Sequence, residues 1–235
     1  MKFFEKDKFN WISLKLTIVI SIIFLLELVF SQTVDFFALD YSQVLNRPYT
    51  LITYSFIRAD FQHLFSNMFG LIIFGTLLEK AIGPKNFLFV YFASAIFVGA
   101  TGIFFYSAVI GASGAIFGIM ATLAVLRPWL IVYVGVPLPM VALVIFYAII
   151  NSALAASYST DPVAYMGHLA GIVIGIVLGI YFYPQFKEKK VKRKKIKLDA
   201  KKHREWENRW LRNPVLPYSS YNFSSVNSRI AWTNN

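Results

Sequence analysis

Cysteine is absent from all 235 residues, which excludes disulfides, thiolate metal sites and a cysteine nucleophile. Charge is scarce: Asp, Glu, Lys and Arg make up 15% of the chain against 57% hydrophobic residues, and mean hydropathy is +0.57. That balance excludes an ordinary soluble domain. No cleavable secretory signal is expected, because residues 1–10 are charged and the apolar run after them lacks a small-residue cleavage site. The first span is therefore expected to be retained. Acidic residues are missing from the middle of every later apolar run, which argues against a transporter or channel built on buried charge. Most of the net charge of +11 comes from one basic run near the C-terminus and describes a tail rather than a fold.

What is present is a series of apolar runs of bilayer length. They predict an all-α polytopic membrane protein with spans at 11–31, 62–78, 86–109, 111–126, 138–155 and 163–183. Lys15 and Glu27, near the two ends of the first span, are expected to reach toward the interfaces. Residues 32–61 alternate polar and aromatic positions and are expected to fold in or against the bilayer surface as a membrane-associated first loop. A charged connection is expected at 79–85, an interfacial segment at 129–136 and a polar loop at 156–162. Glu79, Tyr91 and Asp161 are read as structural. The domain division expected is 1–185 for the membrane domain, 186–212 for a basic cytoplasmic segment and 213–235 for a disordered tail.

Six spans put both termini on one side. Lys2, Lys6, Lys8, Lys80, Lys85, Arg127 and the basic run all fall on that side, while the connections at 107–111 and 152–162 on the opposite side carry neither lysine nor arginine. The bias toward positive charge inside assigns both termini to the cytoplasm.

In that topology three polar clusters share one depth. Asn67 and His168 each lie about five residues into an inward-running span, roughly 8 Å down by helix rise. Ser113 opens the fourth span, whose short run covers roughly 24 Å of a core about 30 Å thick, so its outer end is sunken. His168, Gly171, Gly175 and Gly179 share a helical stripe, and Gly114 and Gly118 form a second small pair beside Ser113. Such stripes let helix backbones approach closely, as a Ser–His hydrogen bond demands. A serine hydroxyl needs a base to become nucleophilic, and neutral histidine has a suitable proton affinity. The Ser113 N–H, Asn67 and His63 are candidate donors to an oxyanion. No Asp or Glu is placed to orient His168, so the reading is a Ser–His dyad. The segment 111–115 also departs from G-x-S-x-G, against an α/β-hydrolase.

The motifs His63-x-x-x-Asn67, Gly111-x-Ser113-Gly114 and Gly167-His168-x-x-Gly171 resemble those of the rhomboid intramembrane serine proteases. The similarity covers about residues 45–183, with Phe74 to Glu79, Gly83 and Tyr91 among its flanks. The resemblance implies a compact bundle of six transmembrane helices, with Ser113 as nucleophile, His168 as general base, and His63, Asn67 and the Ser113 N–H at the oxyanion. Transmembrane protein substrates, cut in or near the outer part of their spans, are implied partners. Phe117 stands where some members carry tyrosine, keeping a ring under the histidine without its hydroxyl. A Trp-Arg pair common in the first loop of the family is absent from 32–61.

The alternative is a catalytically inactive relative that binds membrane-protein clients; retention of both Ser113 and His168 argues against it. No metal site and no cofactor are expected, since the glycines read as packing residues. The basic run from Lys187 to Arg204, followed by Trp206 and Trp210, is read either as a contact for anionic membrane lipid or as a stop-transfer run that sets topology. No motif supports nucleic acid as a partner.

Overall fold

The computed structural model describes residues 10–30, 32–157 and 164–212. The expectations for Lys2, Lys6, Lys8, Asp161 and the tail 213–235 fall outside the described residues, as does most of the loop at 156–162. The chain divides into two compact units, one through Lys187 and one from Glu188.

Apolar composition and few breakers make the described part of the first unit mostly helical. Helix α1 (Ile12–Val29) is followed by the short α2 (Gln32–Phe37), strand β1 (Leu39–Asp40), α3 (Thr50–Thr53) and a 3-10 turn at Tyr54–Phe56. Helix α4 (Phe61–Gly70) continues through a π-turn at Leu71–Gly75 into α5 (Thr76–Ile82). Gly83, at φ 91°, ends that run, and Pro84 starts α6 (Pro84–Gly102) at once. Strand β2 (Ala108–Val109) precedes α7 (Ser113–Leu126); β3 (Ile131–Tyr133) and β4 (Pro137–Pro139) precede α8 (Met140–Ala156) and α9 (Tyr165–Arg212).

Among the described residues, four stretches are long and apolar enough to cross a bilayer: Ile12–Val29, Phe61–Ile82, Pro84–Gly102 and Tyr165–Glu188. Helices α7 and α8 are apolar but shorter, at 14 and 17 residues. The result is an all-α helical membrane bundle in which α7 occupies the centre. Eleven of its fourteen residues are buried, against six of eighteen in α1.

Several boundaries differ from expectation, each for a local reason. The third span stops at Gly102 instead of 109, where the Tyr41 ring packs against the glycine. The chain beyond it turns back so that Ala108 and Val109 pair antiparallel with Asp40 and Leu39. The connection at 79–85 is mostly helix. Buried Glu79 accepts hydrogen bonds from the Ile12 and Ser13 N–H groups at 3.0 and 2.9 Å and from the Ser13 hydroxyl at 3.0 Å, capping α1 from another helix. The segment at 129–136 belongs to a hairpin of β3 and β4 that turns beside Gly135, at φ 93°. Pro137 and Pro139 hold its second strand extended. Glu27 does not reach for an interface: it is buried and accepts the Arg58 backbone N–H at 3.3 Å.

The first loop folds onto α6. The Tyr41 hydroxyl donates to the Gly99 carbonyl at 2.7 Å and the Tyr54 hydroxyl to the Ala95 carbonyl at 2.8 Å. Burial pushes Tyr41 up to about 12 and Tyr54 above its ordinary value, so both remain donors at neutral pH. Arg58 is also buried, donating from Nη1 to the Ser55 and Ile57 carbonyls at 2.9 and 2.6 Å.

The second unit is helical to Arg212. Lys201 pairs with Glu205 at 3.6 Å, and His203 Nδ1 lies 3.3 Å from Glu207, both one turn apart.

Candidate active site

Glycine is required two residues before Ser113. Gly111 sits at φ 107°, and a Cβ there would come within 2.6 Å of the His63 ring. Its N–H donates to the Tyr54 carbonyl at 2.9 Å, so the buried first loop holds the turn that delivers Ser113 to the start of α7. The Ser113 N–H is consequently one of the free donors at a helix N-terminus.

His168 sits one turn into α9, with its N–H bonded to the Ala164 carbonyl at 3.1 Å. Helices α7 and α9 approach through glycine. A Cβ on Gly171 would land on the Gly114 carbonyl oxygen, one on Gly175 on the Gly118 carbonyl oxygen, and one on Gly179 2.7 Å from Val125 Cβ. Gly118 itself faces Ser94. The Thr122 hydroxyl donates to the Gly175 carbonyl at 2.9 Å across the same seam. This close approach brings His168 Nε2 within 2.9 Å of Ser113 Oγ.

Two further contacts fix the imidazole. The Phe117 ring lies 4.5 Å from it, centroid to centroid, tilted by 33°. On its other side, His168 Nδ1 is 2.7 Å from Asn151 Oδ1 of α8. Sequence reasoning missed Asn151 because only acidic residues were sought as partners for the histidine. A signal did exist, since an amide in an apolar span needs a polar partner.

Asp60 caps α4, its carboxylate accepting the His63 N–H at 2.7 Å, and so sets where His63 and Asn67 fall on the helix. Asn67 Nδ2 donates to the His63 carbonyl at 2.7 Å, which leaves the amide a second proton. Asn67, Ser113 and His168 line one cavity of about 520 Å³, completed mainly by Phe65, Phe69, Phe117, Met120 and Tyr147. His63 packs against Gly111, two residues before the serine. Among the described residues no group of three His, Cys, Asp or Glu side chains gathers where it could hold a metal ion.

A hydroxyl bonded to an unblocked imidazole nitrogen, facing an apolar cavity with amide donors beside it, can perform acyl transfer. Comparison with known proteins identifies the family. The family model for the Rhomboid domain matches residues 45–185. The chain is 32% identical over 143 residues to Rhomboid protein 1, mitochondrial, of Saccharomyces cerevisiae, covering 56% of this chain and 41% of that protein. With RHOMBOID-like protein 6, mitochondrial, of Arabidopsis thaliana, identity is 33% over 155 residues, or 63% and 48% of the two chains. With Rhomboid-like protease 1 of Toxoplasma gondii it is 27% over 153 residues, or 58% and 47%. The matches thus span about half the length of these relatives. With the domain matched over more than half of its length, this chain belongs to the rhomboid family.

Proposed function

We propose that this chain is an intramembrane serine endopeptidase that cuts single-span membrane proteins in or near the outer part of their spans. The observation that carries this reading is the 2.9 Å contact between Ser113 Oγ and His168 Nε2 at the wall of the cavity. Ser113 attacks the scissile carbonyl while Nε2 takes its proton. The oxyanion that forms is held by the Ser113 N–H, the free proton of Asn67 and His63. His168 then returns the proton to the leaving amine, and water, activated by the same nitrogen, hydrolyses the acyl-enzyme.

In this reading α7 and α8 also count as spans, giving six, with both termini cytoplasmic. Helix α7 is roughly 21 Å long by its rise, so Ser113 lies below the outer surface where a substrate span unwinds. The basic run from Lys187 to Arg204 holds anionic lipid at the cytoplasmic leaflet. Truncation after Lys187 would then lower retention of anionic lipid while leaving reactivity at Ser113 intact.

The deciding test is covalent labelling of the purified protein by a fluorophosphonate. Labelling is expected at Ser113 alone, absent in Ser113→Ala and steeply reduced in His168→Ala. A folded sample that neither labels nor cleaves any member of a panel of single-span proteins would leave the client-binding alternative in its place.

A further inference from the structure

We propose that Asn151 is a positioning residue that holds His168 in the one neutral tautomer able to act as a base; the proposal deepens the protease reading and rests on it. A free histidine side chain prefers its proton on Nε2. In that form Nε2 cannot accept the proton of Ser113. The required form carries the proton on Nδ1, and which nitrogen carries it is set by the hydrogen bond that the other makes.

Asparagine can face a histidine either way round, with opposite consequences. An amide nitrogen at Nδ1 enforces the wrong tautomer, which costs about 10⁴ in kcat in a soluble serine protease. An amide oxygen enforces the right one. Here the choice is made by helix α8 itself: Asn151 Nδ2 donates to the Tyr147 carbonyl, one turn earlier, at 2.8 Å. That carbonyl can only accept, so the nitrogen must face it and Oδ1 must face His168 Nδ1, at 2.7 Å. The side chain is 4% exposed, which leaves little room for water to compete. The imidazole is thus held by Asn151 at Nδ1, Ser113 at Nε2 and the Phe117 ring on one face. His168 is oriented by a neutral acceptor, where a carboxylate would also raise its affinity for a proton.

The test uses the full chain with ¹⁵N-labelled histidine. Only His63, His168 and His203 contribute, and His168→Ala assigns the signal. In the wild type at neutral pH, Nδ1 of His168 should carry the proton and Nε2 should be bare. In Asn151→Ala the proton should move to Nε2. With a single-span substrate kcat should fall about ten- to a hundredfold at unchanged KM, part of the roughly 10²–10⁴ that a general base contributes. Asn151→Asp keeps an acceptor, so it should retain the Nδ1 proton and recover most of the activity. Its rate–pH profile should have an acid limb moved to higher pH, because a carboxylate favours imidazolium. The other titratable groups around His168 among the described residues, His63 of α4, Tyr147 of α8 and Tyr165 of its own helix, are the same in both variants. An unchanged tautomer in Asn151→Ala, or equal loss in Asn151→Ala and Asn151→Asp without a shift of the acid limb, would overturn the proposal. If the protease reading alone fails, Ser113 stays unlabelled while the tautomer still responds to Asn151.

Discussion

The carbonyl oxygen of Gly114 occupies the place where a Cβ of Gly171 would be. The distance from Ser113 to His168 is therefore set by backbone contact between two helices. Adding Cβ at 171 should push α9 away from α7. Overpacking costs about 1–3 kcal/mol, and a displacement of about 1 Å can cost about a hundredfold in rate. Gly171→Ala should lose most labelling at Ser113 while still inserting into membranes, and Gly171→Leu should lose all of it. Gly167→Ala, whose Cβ would meet only ordinary contacts at 3.4 and 3.6 Å, should be spared. Wild-type labelling in Gly171→Leu would show that the seam does not govern the site.

The amide of Asn67 is half committed to its own helix, which leaves one proton for an oxyanion. Asn67→Ala should lower kcat by about ten- to a thousandfold with little change in KM, on the scale of losing one oxyanion donor. The lower figure reflects sharing with His63 and the Ser113 N–H. Kinetics on a single-span substrate would reveal an effect confined to KM, and that would place Asn67 in ground-state binding instead.

Glu79 should matter to the fold and not to the chemistry. Three donors from the first turn of α1 converge on its carboxylate, two of them backbone N–H groups. Glu79→Ala should cost about 2–3 kcal/mol, the scale of hydrogen bonds to a charged group; Glu79→Gln should cost less. Equilibrium unfolding in detergent measures both. Labelling at Ser113 in the folded fraction should be unchanged.

Tyr41 ties stability to high pH. Its hydroxyl lies at about 12 in the folded chain against an ordinary 10.0, raised by burial and by Tyr106. The folded state thus holds a proton that the unfolded state releases first. The Tyr41 contribution is complete below pH 10 and lost as pH rises through about 12. Unfolding midpoints should fall across that window, and Tyr41→Phe should flatten the fall. An identical slope in the variant would remove Tyr41 from the account.

The parts of the architecture that were legible beforehand follow from local rules. Apolar runs of bilayer length located the helices, and helical spacing put His168, Gly171, Gly175 and Gly179 on one stripe that does face α7. What escaped was set by partners remote in the chain. Arg58 drew no reading from the sequence, yet the first loop folds it inward against Glu27 of α1. Glu27 reads as interfacial until the Arg58 N–H is placed beside it. Asn151 is an isolated amide whose helical period gives its face but not its neighbour. The hairpin of β3 and β4 is too short to leave a period at all.

Because α7 is buried along nearly its whole length, the residue that would carry the acyl group rides on a helix screened from the lipid tails. Bilayer thickness and fluidity press first on the outer helices, where Phe61, Phe65, Phe146 and Ile149 face outward. A change of lipid is then expected to leave the spacing of Ser113 and His168 unaltered. A small water-soluble reagent aimed at Ser113 should therefore react at one pace in thin and thick membranes.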